Sequence, residues 1–137
     1  MIPIQEKRLP AMDVKYYYEL ADGDLGEALI LGIQFRDWEA FIALLSVQND
    51  INYIDKNVLG WTPLIFAAHE GSMEMVKILV ENGADVNYRG IDPEEFALSM
   101  AAYGSYEEIF NYLEPLTSPE LQTIARYILK RTLEHWR

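Results

Sequence analysis

Two histidines, His69 and His135, are the side chains of this 137-residue sequence that ordinarily titrate near neutral pH, and 66 positions (135 − 69) separate them. A hydrolytic centre or a metal site needs several such groups, or carboxylates and thiolates, converging on one point. There is no cysteine, which removes a disulfide framework, a thiolate ligand and a cysteine nucleophile together. Neither H-E-x-x-H, a phosphate-cradling glycine loop nor G-x-S-x-G occurs. Glu94-Glu95 and Glu107-Glu108 are neighbouring carboxylates, but adjacent residues on a helix point apart, so they read as a solvated surface rather than an acid-base pair. Asp22-Gly23-Asp24-Leu25-Gly26-Glu27 has the start of a calcium loop without its third ligand or its closing glutamate, and reads as a turn before a helix. No catalytic residue, cofactor or metal is expected.

The elements behind these residues repeat. The clearest unit begins Gly60-Trp61-Thr62-Pro63-Leu64-Ile65-Phe66-Ala67-Ala68-His69-Glu70-Gly71 and ends Ser72-Met73-Glu74-Met75-Val76-Lys77-Ile78-Leu79-Val80-Glu81-Asn82-Gly83-Ala84-Asp85-Val86-Asn87. Thr62 can cap a helix, and Pro63 in the first turn gives up an N–H that would have no partner there. Gly71 permits a sharp reversal, and Met75, Val76, Ile78, Leu79 and Val80 give a second helix an apolar face that Gly83 terminates. The unit resembles the ankyrin repeat, with its T-P-L-H-x-A signature and its period of about 33 residues. Ile65 stands where the family usually places histidine, so the loop hydrogen bonds of that histidine must be replaced or lost.

Weaker copies flank it. Upstream at an offset of 35 (87 − 52), Asp37, Trp38, Leu44, Leu45, Asp50, Ile51 and Asn52 match Ser72, Met73, Leu79, Val80, Asp85, Val86 and Asn87, with Arg36 at the turn glycine. Two extra residues fall in the loop from Asp55 to Gly60. Downstream, an offset of 33 (104 − 71) pairs Gly104, Ser105, Glu107, Ile109 and Leu113 with Gly71, Ser72, Glu74, Val76 and Val80. There Asp92 and Pro93 are expected to open the first helix. Ser118-Pro119-Glu120 starts a closing helix over 119–136, with Leu121, Ile124, Ala125, Ile128, Thr132 and Trp136 on one face. The Tyr16-Tyr17-Tyr18 segment forms an N-terminal cap, and residues 1–10, with Pro3 and Pro10, are expected to be extended.

The resemblance implies an all-α solenoid of stacked helical hairpins with a C-terminal capping helix, in a single domain. Its parts are an extension and cap over 1–24, repeats over 25–54, 55–89 and 90–117, and the closing helix over 118–137. Stacked hairpins cannot shield their own end faces, so atypical terminal elements are required.

Charge narrows the partner. Twenty-two acidic and eleven basic side chains give −11, which repels nucleic acid and anionic membrane surfaces. Residues 1–117 carry 20 acidic and 7 basic groups and residues 118–137 carry 2 and 4, so a basic protein is steered to the body of the chain. No apolar run is long enough to span a bilayer and the N-terminal segment lacks a signal-type core, so a soluble, cytoplasmic protein is expected.

In the ankyrin family partners bind a concave face made of loop tips and first helices. Carried over position by position, the resemblance implies contacts at Gln34 and Phe35, then Ile54, Lys56, Asn57, Val58, Leu59, Trp61, His69 and Glu70, then Arg89, Ile91, Asp92, Glu94, Ala102 and Tyr103. Aromatic anchors ringed by charge suit an interface hot spot, with Trp61 at its centre. Three functions follow: a module binding a basic partner protein, as an inhibitor or immunity-type protein; a small enzyme using surface carboxylates and His69; and a self-associating structural subunit. A monomer or weak homo-oligomer is expected.

Overall fold

The computed structural model describes residues 10–47, 50–57 and 59–135; Val58, Trp136 and the segment before Pro10 lie outside the described residues. It contains α1 (Pro10–Leu20), α2 (Leu25–Gln34), α3 (Trp38–Val47), α4 (Pro63–Glu70), α5 (Met73–Glu81), α6 (Ala97–Gly104), α7 (Glu107–Leu113) and α8 (Pro119–His135). A 3₁₀ turn, Glu114–Leu116, precedes α8, and no strand occurs among the described residues. No helix among them is long and apolar enough to cross a membrane.

Local signals start and stop the helices. Thr62 Oγ1 accepts the Ile65 amide at 3.4 Å, Pro63 fills the first turn of α4, and Gly71 ends it at φ 77°. Ser72 Oγ accepts the Met75 amide at 3.3 Å and so opens α5. In α2 and α3 aspartates do this work: Asp24 Oδ1 accepts from the Gly26 and Glu27 amides at 3.0 and 3.2 Å, and Asp37 Oδ1 from Ala40 at 3.2 Å. The calcium-like segment is therefore a turn, with Asp22 at φ 52° and Gly23 at φ 80°, followed by a helix cap. Arg36 adopts the turn glycine's left-handed backbone at φ 55°, a conformation that costs a residue with a Cβ about 1–2 kcal/mol. Pro10, expected in an extended lead, opens α1 instead.

Two expectations for the third hairpin are corrected. Asp92 and Pro93 do not start α6; they form a turn in which Asp92 Oδ1 accepts the Glu94 amide at 3.0 Å, and the helix begins at Ala97. Ser99 Oγ accepts the Phe96 amide at 2.9 Å and donates toward the Glu94 carbonyl at 2.7 Å, supplying loop bonds at the position that matches Ile65. The register is also 34, not 33. α6 runs through Gly104, and Ser105 takes the left-handed turn at φ 57°, which puts Ile109, Phe110 and Leu113 where α5 buries Met75, Val76 and Leu79. An offset of 33 would have set Phe110 beside exposed Lys77. Burying a phenylalanine stabilises by about 1.5–3 kcal/mol, at least matching the strain at Ser105. Gly104 is needed for packing, since a Cβ there would stand 2.3 Å from the Tyr106 ring.

The first helices α2, α4, α6 and α8 lie side by side in chain order, whereas α3, α5 and α7 meet one another sparsely. Fully buried Ala67, Ala68, Ala101 and Ala102 let the first helices approach closely. The side of the stack that carries these first helices is here called the inner face. α8 occupies the place beside α6 and closes that end, burying Leu121, Ala125 and Ile128.

Candidate partner-binding face

Two loops link the hairpins, one between α3 and α4 and the other between α5 and α6. The first closes through Asp55 N–H to the Trp61 carbonyl at 2.8 Å, the second through Gly90 N–H to the Glu95 carbonyl at 2.8 Å, and Ile91 N–H to the Leu59 carbonyl at 3.1 Å joins them. Asn52 Oδ1 accepts the Asp85 amide at 2.7 Å and Asn87 Oδ1 the Ser118 amide at 2.9 Å, tying each hairpin's end to the next.

Most of the anticipated contacts are open to solvent. Gln34, His69 and Tyr103 lie in matching positions in the last turns of α2, α4 and α6, all exposed. Phe35 is 61% exposed and stacks on Tyr17 with ring centroids 5.8 Å apart. Ile91 is 71% exposed, while Leu59, Ile54, Asn57, Asp92 and Glu94 are also exposed. Glu70 is half-buried, with Oε2 3.5 Å from His69 Nδ1 and Oε1 4.0 Å from Arg36 Nε. Ala102 is buried between helices and offers no contact.

Trp61 is the main correction. It is only 6% exposed, its indole N–H donates to Glu95 Oε1 at 2.8 Å, and its ring packs on Phe66 and His69 at 5.0 and 5.1 Å. Gly90 makes room for it, since a Cβ there would sit 2.9 Å from the indole. Trp61 therefore ties the two loops to α4 from inside, and the exposed side of this pairing is the His69 ring.

A polar cluster escaped the sequence reading. The Tyr53 hydroxyl lies 3.0 Å from Asp24 Oδ2 and 2.9 Å from Glu27 Oε2, so its single proton is shared between two carboxylates. Glu27 Oε2 also accepts the Lys56 amide at 3.0 Å, and Lys56 Nζ donates to Asp24 Oδ2 at 2.9 Å. The Lys56 hydrogen bond, with help from the Glu27 amide and Tyr53, holds the Asp24 carboxyl below its usual range despite partial burial. Desolvation, then Glu27 and Asp24, push the Tyr53 phenol up. Desolvation, then Glu94, Asp92 and Glu95, also raise the Tyr103 phenol. The available signal was Gly26, where a Cβ would stand 2.2 Å from the Tyr53 ring.

Among the described residues no three histidines or carboxylates are grouped to hold a metal. A family model of three ankyrin repeats matches residues 29–122. The chain belongs to the ankyrin-repeat family. Ankyrin repeats are generally protein-interaction modules and typically non-enzymatic. The chain is 34% identical over 121 residues to the ankyrin repeat, SAM and basic leucine zipper domain-containing protein 1 of Gorilla gorilla gorilla and 29% identical over 118 residues to that of Callithrix jacchus. Each alignment covers 86% of this chain and 21% of the relative, so the ankyrin chain spans about a fifth of those proteins. It is also 36% identical over 78 residues to ankyrin repeat protein nuc-2 of Neurospora crassa, covering 56% of this chain and 7% of that protein.

Proposed function

We propose that this ankyrin domain binds a basic partner protein through its inner face, with Gln34, Phe35, Leu59, His69, Ile91 and Tyr103 as apolar and adaptable contacts and Asp92 and Glu94 as the charged rim. The observation that carries this is the pairing of cations on the face. Lys56 is held by Asp24, Arg36 lies near Glu70, and Arg89 donates to the Pro93 carbonyl at 2.7 Å with Glu120 3.8 Å away. These three basic side chains lie against the chain's own acceptors, and Arg131, which lines a cleft with Glu94 and Tyr103, donates to the Tyr127 hydroxyl at 2.9 Å, while Asp92 and Glu94 stay exposed to set the outward field. A concrete form of this function is an inhibitor or immunity-type protein that covers the working surface of a basic toxin. Such a domain acts in the cytoplasm, as a monomer or weak homo-oligomer, and without chemistry of its own.

The test uses a partner co-purified from the native source and titrated calorimetrically across a salt series. Tyr103→Ala combined with Glu94→Lys should weaken binding at least about tenfold, and added salt should slow association. Glu74→Lys, exposed on α5 away from this face, should change affinity little. Unchanged affinity for the double variant would place the partner elsewhere.

A further inference from the structure

Where α2 meets the α1–α2 turn and the first loop, the inner face opens into a cleft of about 490 Å³. Ile30, Leu31 and Phe66 give it an apolar lining, and Asp22, Asp24 and Glu27 give it carboxylates. One cation is already present: Lys56 Nζ reaches Asp24 Oδ2 at 2.9 Å from a side chain that is 71% exposed. Its backbone is anchored separately, through the amide on Glu27 Oε2 at 3.0 Å, so the ammonium can leave while the loop stays in place.

We propose that this cleft receives an arginine side chain of the partner protein, and that Lys56 is a resident cation displaced when it enters. The inference rests on the inner face being the binding surface. The acceptors are distributed for it. Asp24 Oδ1 is committed to capping α2, and Glu27 Oε2 to Tyr53 and the Lys56 amide. Asp24 Oδ2 keeps the Tyr53 hydroxyl at 3.0 Å but regains a lone pair once Lys56 leaves, and joins Glu27 Oε1 and the exposed Asp22 carboxylate as sites for a donor. A guanidinium, planar, weakly hydrated and carrying five N–H donors in a fixed fork, can serve several such oxygens at once, whereas an ammonium serves them as a point charge. Its methylene stem lies favourably along an apolar lining. Three carboxylates against one ammonium set the wrong sign for a phosphate or a carboxylate ligand.

The test is a ¹⁵N-amide NMR titration of the whole chain with N-acetyl-arginine amide, set beside the lysine amide and the uncharged citrulline amide. Saturable shifts should centre on Asp24, Glu27, Leu31 and Asn57, stronger for arginine than for lysine and absent for citrulline. Lys56→Gln should tighten arginine binding about threefold, while Lys77→Gln, an equal change in net charge on exposed α5, leaves it nearly unchanged. Asp22→Asn, which tolerates the left-handed turn, should weaken it about threefold. Equal effects of Lys56→Gln and Lys77→Gln, equal shifts from citrulline, or no saturable shift would overturn the cleft. Shifts confined to Tyr103 and Glu94 would overturn the cleft and leave the binding face standing; shifts confined to α3, α5 and α7 would remove both.

Discussion

Replacing Trp61 separates stability from binding. With 6% of its surface exposed, an indole bond to Glu95 at 2.8 Å and edge-on contact with Phe66 at 5.0 Å, Trp61 is a core residue. Trp61→Ala should therefore cost about 3–5 kcal/mol, a large share of the roughly 5–15 kcal/mol that hold a domain of this size together. Trp61→Phe keeps most of the packing and loses the hydrogen bond to a carboxylate. Because Glu95 is only half-buried, water recovers part of that bond, and the expected loss is about 1–2 kcal/mol. Glu95→Gln retains an acceptor and should cost about 0.5–1 kcal/mol. Urea unfolding followed by far-ultraviolet circular dichroism, read at constant m, measures each value. The double variant should show a coupling near 1 kcal/mol. A Trp61→Phe protein as stable as the parent, or strict additivity with Glu95→Gln, would refute the assignment. Partner affinity of the folded Trp61→Phe protein should match the parent.

Other expectations concern the turns and the polar cluster. Gly26→Ala drives a methyl into the Tyr53 ring, 2.2 Å from the nearest atom, and should destabilise by about 1–3 kcal/mol in the same urea assay, with partial recovery in a Tyr53→Leu background. Arg36→Gly relieves a left-handed backbone at φ 55° and should stabilise by about 0.5–1 kcal/mol once the greater freedom of unfolded glycine is subtracted. Because the Asp24 pKa is lowered in the fold, its charge contributes fully above the ordinary value of 3.8 and is lost as pH falls through the folded value. Asp24→Asn, still able to cap α2, should accordingly be less stable than the parent at neutral pH and converge with it as pH falls through the lowered folded value. Tyr53 has the opposite sense: its raised pKa favours the fold below the ordinary value of 10.0 and costs stability as pH rises beyond it. An ultraviolet titration should find one phenol that ionises only as the chain unfolds in alkali.

The helical hairpins and their ends were legible in the sequence because caps, left-handed turns and proline act over a few residues. Thr62-Pro63, Gly71, Ser72 and Ser118-Pro119 start or stop helices for reasons contained in their own turn of chain. Even Arg36 was recognisable as the glycine's substitute, although only the backbone shows that it adopts the glycine's conformation. The third hairpin's register was misread because Gly104 looks like a turn glycine locally. Burial of Phe110 and the seat of Tyr106 against Gly71 and Gly104, which depend on neighbouring helices, moved the turn to Ser105.

The same division runs through the proposed binding face. Family position placed Gln34, Phe35, His69, Asp92, Glu94 and Tyr103 on one side of the stack, and periodicity supplied the helices that carry them. Whether an aromatic residue faces water depends on what lies across from it, and Glu95, Phe66 and Gly90 turn Trp61 inward from separate segments. The cluster of Asp24, Glu27, Tyr53 and Lys56 likewise joins residues about thirty positions apart. Local backbone preference is written within a few neighbouring residues, whereas burial and charge pairing are settled by which segments the stack brings together.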